Sequence, residues 1–265
     1  MIGSTVHLTG KVAIVTGGGG GGSGRAISRR LAREGARIVV ADIREAEGEE
    51  TVRQVEAEGG RAAFFRVDVG DEAQVRSLFG FAADRFGGVG LLINNASVAV
   101  FPETSEEHWF ANVRVDLIGA MYATRYGIEA MRRGGGGAIV NIGSTSALRH
   151  GGRASKAPGY DAAKAGIIRL TTCLAPLAER EGIRVNCLVP DWVATDQVTS
   201  AIAAMTPDER REWRPPDVLI TLEEIAGAVL RLATDEALAG RVMVWWCGQP
   251  PRLISQGDQG YAAVD

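Results

Sequence analysis

Short runs of apolar residues recur along this chain, and they alternate with longer segments in which apolar residues are spaced three or four positions apart. The runs predict buried β-strands, and the segments between them predict amphipathic helices. Strands are predicted at 11–17, 37–43, 62–68, 91–96, 138–144, 184–190 and 241–247. Continuous apolar strands that alternate with helices indicate an α/β fold, a doubly wound three-layer sandwich around a seven-stranded parallel sheet.

Polar caps and Gly or Pro residues give the approximate bounds of the helices. The predicted helices cover 24–35, 45–58, a segment from Asp71, 104–133 with Thr104 as its cap, 159–181, and segments from Thr206 and Thr221. The glycines at 134–137 are predicted to form a turn. Because no linker divides the chain, we expect one domain over 1–250, followed by a C-terminal extension over 251–265 that lies on the surface or against a partner.

Composition narrows the class of protein. Apolar residues make up 46% of the chain, charged residues 23%, and the formal net charge is −3. No segment is rich in Lys or Arg alone, and no apolar run is long enough to span a bilayer, so neither nucleic acid nor a membrane is an expected partner. The first residues lack the layout of a signal peptide, which favours a cytoplasmic location.

The cysteines and histidines argue against a protein held together by disulfides and against a protein with a transition-metal site. Cys173, Cys187 and Cys247 are far apart and form no CxxC pair. This is typical of a reducing compartment without a disulfide framework. The three histidines are scattered, so we expect no transition-metal site.

The glycine-rich stretch at 16–24, TGGGGGGSG, lies between a predicted strand and a predicted helix. Such a turn presents free backbone N–H groups and the positive end of a helix dipole, which together bind a pyrophosphate. Asp42 ends the second strand, 18 positions after Gly24 and close to the spacing at which an acid reaches the adenosine ribose. A carboxylate there repels a 2′-phosphate, so NAD is favoured over NADP. A disordered glycine turn is the alternative.

Tyr160 and Lys164 are four residues apart in a predicted helix, so their side chains share one face. A phenol is a weak acid at neutral pH, and a nearby ammonium favours the phenolate that acid–base catalysis requires. The chain has only three lysines among its 29 basic residues, which makes a chance pairing less credible. Ser144 ends the fifth strand, at the edge where parallel sheets bind ligands, and Ser146 is the alternative for the same role.

In the order and spacing of its motifs, nearly the whole chain, from about Lys11 to Gly248, resembles the short-chain dehydrogenase/reductase family. The motifs are TG…GSG at 16–24, VDV at 67–69, NNA at 94–96, NIGS at 141–144, YDAAK at 160–164, RVN at 184–186 and PDWVAT at 190–195. The resemblance implies a Rossmann-type fold, hydride transfer between NAD and a secondary alcohol or ketone, and a homodimer or homotetramer that packs helices 104–133 and 159–181.

The resemblance also implies roles for individual residues. Tyr160 would be the acid/base, Lys164 the charge that tunes it, and Ser144 the donor to the substrate oxygen. Residues 191–220 would form a lid over an apolar substrate, although Trp192 and Trp213 within it are equally consistent with a structural role. The implied cofactor contacts are Gly17, Gly22, Ser23, Gly24, Asp42, Ile43, Asp68, Val69, Asn94, Asn95, Ala96, Tyr160, Lys164, Pro190, Val193 and Thr195. For Asn94, Asn95 and Thr195, capping a strand or helix is the open alternative.

Four features depart from the family pattern. The glycine turn is one residue longer than usual, and Asp116 occupies the place of a helix Asn that leads through water to the Lys. If Asp116 is buried near Lys164, it favours the charged ammonium and alters the pH dependence of a working relay. The Ser144-to-Tyr160 loop is longer, and its Arg149, His150, Arg153 and Lys156 are either a solvated face or a site for an anionic substrate. Finally, Pro190-Asp191 and Gly248-Gln249 replace the usual PG and GG.

These departures leave two other functions open. One is a nucleotide-sensing or scaffold protein that kept the fold without catalysis. The other is a lyase or epimerase that retains its NAD and uses the same Tyr160. The intact set of Ser144, Tyr160 and Lys164 favours the oxidoreductase.

Overall fold

A computed structural model describes residues 8–98, 105–148 and 157–255. Its centre is one sheet of eight strands in the order β3-β2-β1-β4-β5-β6-β7-β8. The strands are β1 Val12–Thr16, β2 Arg37–Asp42, β3 Arg61–Arg66, β4 Leu91–Asn94, β5 Gly137–Ile142, β6 Ile183–Pro190, β7 Val242–Trp245 and β8 Arg252–Leu253. The first seven strands pair in parallel, which confirms the doubly wound α/β fold.

The predicted count of seven strands is wrong by one. The two residues of β8 pair antiparallel with β7, with Leu253 opposite Met243. A strand of two residues shows no alternation of apolar and polar positions, and it directly follows Pro250-Pro251, so its pattern resembles a loop. The first part of the expected extension therefore belongs to the sheet. Residues 256–265 lie outside the described part of the chain.

The helices are α1 Ser23–Arg33, α2 Glu45–Ala57, α3 Glu72–Phe86, α4 Glu106–Asn112, α5 Ala120–Arg133, α6 Pro158–Cys173, α7 Leu177–Glu181, α8 Asp196–Ala204, α9 Pro207–Trp213 and α10 Leu222–Thr234. The helix predicted across 159–181 is interrupted after Cys173 and resumes at Leu177. Pro176 explains the interruption, since proline has no N–H to donate and its ring clashes with the preceding turn.

The helix predicted across 104–133 also differs. It begins at Glu106 with Ser105 at the N-cap position, and Thr104 lies outside the described residues. Between α4 and α5 the chain forms a π-helix over Val113–Gly119. A π-helix is rare, occurs mostly as a bulge inside an α-helix, and is frequently found at a functional site. Asp116 lies within it.

Two apolar cores cover the two faces of the sheet, and β1 contributes to both. Ala13 and Val15 face one core, while Val12 and Ile14 face the other. The alternation arises because successive side chains in a strand point to opposite faces. The first core includes Leu31 of α1 and residues of α10, and the second includes residues of α3 and α5. This is the three-layer arrangement expected from the continuous apolar strands.

All seven parallel strands end at one edge of the sheet, and the turns that follow them carry the candidate site residues. The glycine turn follows β1, Asp42 ends β2, and Ser144 follows β5.

Over the described ranges, the helices are too short or too polar for any of them to cross a membrane.

Candidate active site

The glycine turn approaches the backbone of neighbouring segments closely at both of its ends. Gly17 has a φ of +64°, and a Cβ there would lie 2.7 Å from Ala96 Cα. A Cβ at Gly24 would lie 2.1 Å from the carbonyl oxygen of Gly17. A side chain at either position would force the backbone apart, so these two glycines are required by packing.

The middle of the lengthened turn is anchored at Gly19. Its N–H donates to Asp42 Oδ2 at 2.9 Å. Its carbonyl oxygen accepts from Arg25 Nη2 at 2.9 Å and from the Thr51 hydroxyl at 3.2 Å. Arg25 Nε also donates to Thr51 Oγ1 at 3.0 Å. The longer turn is thus held through both the N–H and the carbonyl oxygen of Gly19. The sequence analysis identified neither Arg25 nor Thr51. The place of Arg25 directly after the last glycine is the only signal that points to it.

The N-terminus of α1 follows this turn and is open to an anion. Gly22 occupies its N-cap position without a side-chain cap, and its first turn contains no acidic residue. By contrast, Asp71 and Thr221 cap α3 and α10 with side-chain oxygens. Ser23 and Gly24 are the first residues of α1, so their end of the helix presents unused N–H groups. These groups and the anchored turn fit the pyrophosphate of a dinucleotide.

Asp42 lies beside the glycine turn, within reach of the ribose that a dinucleotide bound there would carry. It is 5% exposed, and its Oδ1 accepts from the N–H of Arg44 at 3.0 Å. The Arg44 guanidinium lies 3.4 Å from the same oxygen. Ile43, the next residue, is 54% exposed.

Side chains after β3 and β4 frame the same groove. Asp68 accepts from Gly70 N and pairs with Arg114, both at 2.9 Å. Val69 is buried. Asn95 Nδ2 donates to the carbonyl oxygens of Thr16 at 3.0 Å and Gly17 at 3.2 Å, so Asn95 ties the two turns together.

Ala96 and Asn94 face different surroundings. The N–H of Ala96 donates to Thr16 Oγ1 at 3.1 Å. Asn94 is buried beneath the groove and donates to Thr124 Oγ1 at 3.0 Å and to Asn141 Oδ1 at 2.8 Å. These bonds give Asn94 a structural place in the sheet, in agreement with the alternative left open from the sequence.

Lys164 lies in α6 with its ammonium buried between three groups. Its Nζ donates to the carbonyl oxygen of Ile142 at 3.0 Å and lies 3.4 Å from Asp116 Oδ2. The same Nζ lies 5.3 Å from the centroid of the Tyr160 ring. Burial alone lowers the pKa of Lys164, but the charges of Asp116 and Tyr160 outweigh it, and the net pKa is raised. The ammonium therefore stays charged at neutral pH.

Asp116 is fully buried, and each of its carboxylate oxygens has a hydrogen-bond donor. The Ser97 hydroxyl donates to Oδ2 at 2.7 Å, and the N–H of Val98 donates to Oδ1 at 3.1 Å. A buried carboxylate is tolerated when it is paired and hydrogen-bonded in this way. Ser97 is exposed to solvent and was not identified from the sequence. The structure thus places Asp116 beside Lys164, which is the condition under which the sequence analysis expects it to favour the charged ammonium.

Ser144 and Ser146 lie together in the turn after β5, where Ser144 Oγ accepts from Ser146 Oγ at 3.0 Å. Further along the rim, Pro190 ends β6 and is buried. Val193 forms an isolated parallel bridge with Ile220, so the two ends of the segment between them lie side by side.

Thr195 caps α8 by accepting from Val198 N at 3.2 Å. Its methyl group would lie 3.1 Å from a Cβ at Gly22, so the cap contacts the glycine turn. Arg149, His150, Arg153 and Lys156 lie outside the described residues.

The arrangement supplies a phenol beside a buried cation and a hydroxyl at the strand edge, which together serve proton transfer to or from an oxygen. Within the described ranges, no three His, Cys, Asp or Glu side chains come close enough to hold a metal ion.

Comparisons with known proteins identify the family to which the chain belongs. The family model for short chain dehydrogenases matches residues 11–206. The chain is 37% identical over 239 residues to the short chain dehydrogenase/reductase astE of Aspergillus oryzae, covering 87% of this chain and 90% of that protein. It is 35% identical over 234 residues to cis-4-hydroxycyclohexanecarboxylate dehydrogenase of Sinomonas cyclohexanicum, covering 86% and 90%.

A solved structure is also similar. It is a 7α-hydroxysteroid dehydrogenase in complex with NADH and 7-oxo glycochenodeoxycholic acid, with a TM-score of 0.82 and 27% identity over 94% of this chain and 97% of that one. The sequence and the fold agree with these relatives. The chain belongs to the short-chain dehydrogenase/reductase family of oxidoreductases, whose members use nicotinamide cofactors.

Proposed function

We propose that this enzyme transfers a hydride between NAD and the carbon of a secondary alcohol or ketone. The observation that carries the proposal is the buried Lys164 ammonium, which lies 3.4 Å from Asp116 and 5.3 Å from the centre of the Tyr160 ring. A fixed positive charge beside a phenol favours the phenolate, the form that accepts a proton from an alcohol.

The preference for NAD rests on Asp42. Its carboxylate is held at the end of β2 by the N–H groups of Gly19 and Arg44. Each carboxylate oxygen retains capacity to accept from a ribose hydroxyl, whereas a 2′-phosphate would meet its negative charge. Arg44 pairs with this carboxylate, so the guanidinium that would otherwise favour a 2′-phosphate is directed toward Asp42.

In the forward reaction Tyr160 would remove the hydroxyl proton of the alcohol while Ser144 donates a hydrogen bond to the same oxygen. When bound, the nicotinamide supplies the acceptor for the hydride. Lys164 holds its charge through both stages because Asp116 offsets its burial. In the reverse reaction the same phenol returns the proton to the ketone oxygen.

Asp116 and Ser97 connect the buried Lys164 ammonium to solvent. Asp116 Oδ2 accepts from the Ser97 hydroxyl at 2.7 Å and lies 3.4 Å from Lys164 Nζ. Because Ser97 is exposed, this route of paired groups reaches water, and Asp116 acts on Tyr160 through the charge that it stabilises on Lys164. Asp116→Asn keeps the shape but loses the negative charge, so we expect the pH–rate profile to shift. An unchanged profile would remove Asp116 from this route.

The substrate class is proposed from relatives and from the lid. One relative is named for a hydroxycyclohexanecarboxylate, and one similar structure holds an oxo bile acid, both of which carry their oxygen on a ring. Trp192 and Trp213 in the proposed lid, residues 191–220, fit a bulky apolar ring. A cyclic secondary alcohol is therefore the proposed substrate.

We also propose a homodimer or homotetramer. Trp109, Phe110 and Met121 are large apolar residues exposed on the α4-to-α5 segment. Exposed apolar surface of this kind marks a protein interface. Light scattering of the purified protein gives the number of subunits, and a monomer would contradict this assignment.

The decisive experiment measures NADH formation with cyclohexanol, 4-hydroxycyclohexanecarboxylate and 3-hydroxybutyrate, with NADP in parallel. We expect turnover with NAD, and Tyr160→Phe should lower kcat by about 10³-fold while still binding NADH. Binding of NADH without turnover would favour the sensor or scaffold. Substrate conversion without net NADH would favour the lyase or epimerase.

A further inference from the structure

The turn from Ser144 to Ser146, named here the serine turn, directs two hydrogen-bonding groups of Ser146 at the Ser144 hydroxyl oxygen. Ser144 Oγ lies 3.2 Å from the backbone N of Ser146 and 3.0 Å from its hydroxyl oxygen. A backbone N–H only donates, so Ser144 Oγ is an acceptor in the first contact. With the Ser146 hydroxyl donating as well, both acceptor positions of Ser144 are filled.

A hydroxyl has one proton and two lone pairs. When both lone pairs of Ser144 receive hydrogen bonds, its own proton points away from Ser146 and remains as the group it can offer. A substrate carbonyl oxygen, or an alkoxide that forms from an alcohol, needs such a donor. If the Ser144 hydroxyl already points toward the substrate position before substrate binds, it does not have to reorient during the reaction.

The serine turn is itself held by Asp191, the residue that departs from the family's PG pattern. The buried Thr145 donates its hydroxyl to Asp191 Oδ1 at 3.0 Å. The N–H of Cys247 lies 3.3 Å from Asp191 Oδ2, and the N–H of Asp191 donates to the Trp245 carbonyl at 2.8 Å. One carboxylate thus ties the turn after β5 to the ends of β6 and β7.

We infer that Ser146 and Asp191 are positioning residues, which preset the Ser144 hydroxyl as a donor to the substrate oxygen. Ser146 fills the lone pairs of Ser144, and Asp191 fixes the turn that carries both serines. The inference rests on the proposed oxidoreductase activity. It goes beyond that activity because it makes the role of Ser144 depend on two residues outside the Ser144, Tyr160 and Lys164 set.

A double-mutant cycle tests whether Ser146 acts through Ser144. We expect Ser144→Ala to lower kcat about 100-fold and Ser146→Ala about tenfold. Because Ser146 has no target once the Ser144 hydroxyl is gone, Ser146→Ala should have no further effect in the Ser144→Ala background. Ser146→Thr, which keeps the hydroxyl, should restore most of the rate. Ser77→Ala, an exposed serine on α3, is the matched control and should leave kcat unchanged.

The outcomes separate the two proposals. If wild-type enzyme and Tyr160→Phe are equally inactive, the proposed function fails and the inference fails with it. If wild-type enzyme turns over but Ser146→Ala costs the same factor in both backgrounds, Ser146 contacts substrate directly and the inference is overturned. No effect of Ser146→Ala in either background overturns it as well.

Asp191 gives a second, independent readout. Asp191→Asn can still accept from Thr145, so we expect a kcat loss of a few-fold, whereas Asp191→Ala should approach the loss seen for Ser146→Ala. The KM for NAD should stay unchanged in both, because the carboxylate contacts the serine turn and not the glycine turn. A change confined to the KM for NAD would contradict the positioning role.

Discussion

The proposed cofactor end of the site and its proposed reaction end are built by opposite means. The cofactor end comprises the turns after β1, β2 and β4 and consists largely of backbone: Gly17 and Gly24 allow close approach, and Gly19 is held by its own peptide groups. The reaction end, beside β5 and α6, contains two buried charges, Lys164 and Asp116, which lie 3.4 Å apart. The first end is therefore sensitive to added volume, and the second to lost charge.

The largest effect is expected from adding one methyl group at the cofactor end. Gly24→Ala would place a Cβ 2.1 Å from the Gly17 carbonyl oxygen, so the glycine turn has to move. We expect NADH binding to be lost and the melting temperature to fall, measured by NADH fluorescence and by thermal unfolding.

The matched control is Gly80→Ala, in the exposed part of α3, where a Cβ meets nothing within 4 Å. Alanine favours a helix more than glycine does, so this variant should gain up to about 1 kcal/mol in the free energy of unfolding. Equal NADH affinity in both glycine variants would contradict the close packing at Gly24.

The next largest effect is expected from removing a charge at the reaction end. Asp116→Ala leaves the Lys164 ammonium buried and unpaired, so the free energy of unfolding should fall by about 3–5 kcal/mol, measured with urea at pH 7. Glu50→Ala removes the exposed partner of Arg53 and should change stability little. Equal effects of the two substitutions would contradict the buried pair.

The pH dependence of stability sharpens the same test. In the wild type the pKa of Lys164 is raised above 10.5, so its contribution to stability is fully present below that pH and is lost only as the pH rises through the raised pKa. In Asp116→Ala burial is opposed mainly by the weaker effect of Tyr160, so we expect the pKa of Lys164 to fall below its value in the unfolded state. The unfolded state then binds the extra proton, and the stability of this variant should rise with pH below 10.5, unlike that of the wild type.

The smallest effect is expected where a side chain supports the backbone of the cofactor end. Arg25→Met removes the guanidinium that donates to the Gly19 carbonyl, while Thr51 still donates to it. We expect the Kd for NADH to rise about tenfold, the energy of a charge-assisted hydrogen bond, with kcat at saturating cofactor preserved. Arg25→Lys should recover part of the affinity. A fall in kcat without a change in Kd would place Arg25 in the reaction end instead.

The same contrast explains which parts were predictable from the sequence. The alternation of strands and helices and the place of Asp42 follow from patterns of single residue types along the chain, and the fold was confirmed, although the order of the strands in the sheet was not predicted. The pairing of Tyr160 with Lys164 follows from helical periodicity. The structure brings Asp116 to them as expected, while the catalytic and cofactor roles of these residues stay predictions.

Contacts between distant segments were not predictable. Arg25 is one of many arginines, and only the fold shows that it reaches Gly19 and Thr51. Ser97 is an ordinary polar residue in the sequence, and Asp191 stands out there only as a departure from the family pattern. Their partners lie 19 and 46 positions away. The strand β8 is too short to have a pattern. These features depend on which loops the topology brings together, and a single sequence does not encode that information locally.

The π-helix at Val113–Gly119 also determines the directions in which the side chains of α4 and α5 point relative to each other. Each residue advances an α-helix by about 100°, so a segment with a wider turn shifts the angular phase between α4 and α5. Deleting one residue inside it would restore an ordinary helix only by rotating α4, and with it Trp109 and Phe110, away from their present direction. The direction of the exposed residues of α4 and the position of the buried Asp116 carboxylate therefore depend on the same π-helix. A single-residue deletion in it would disturb both.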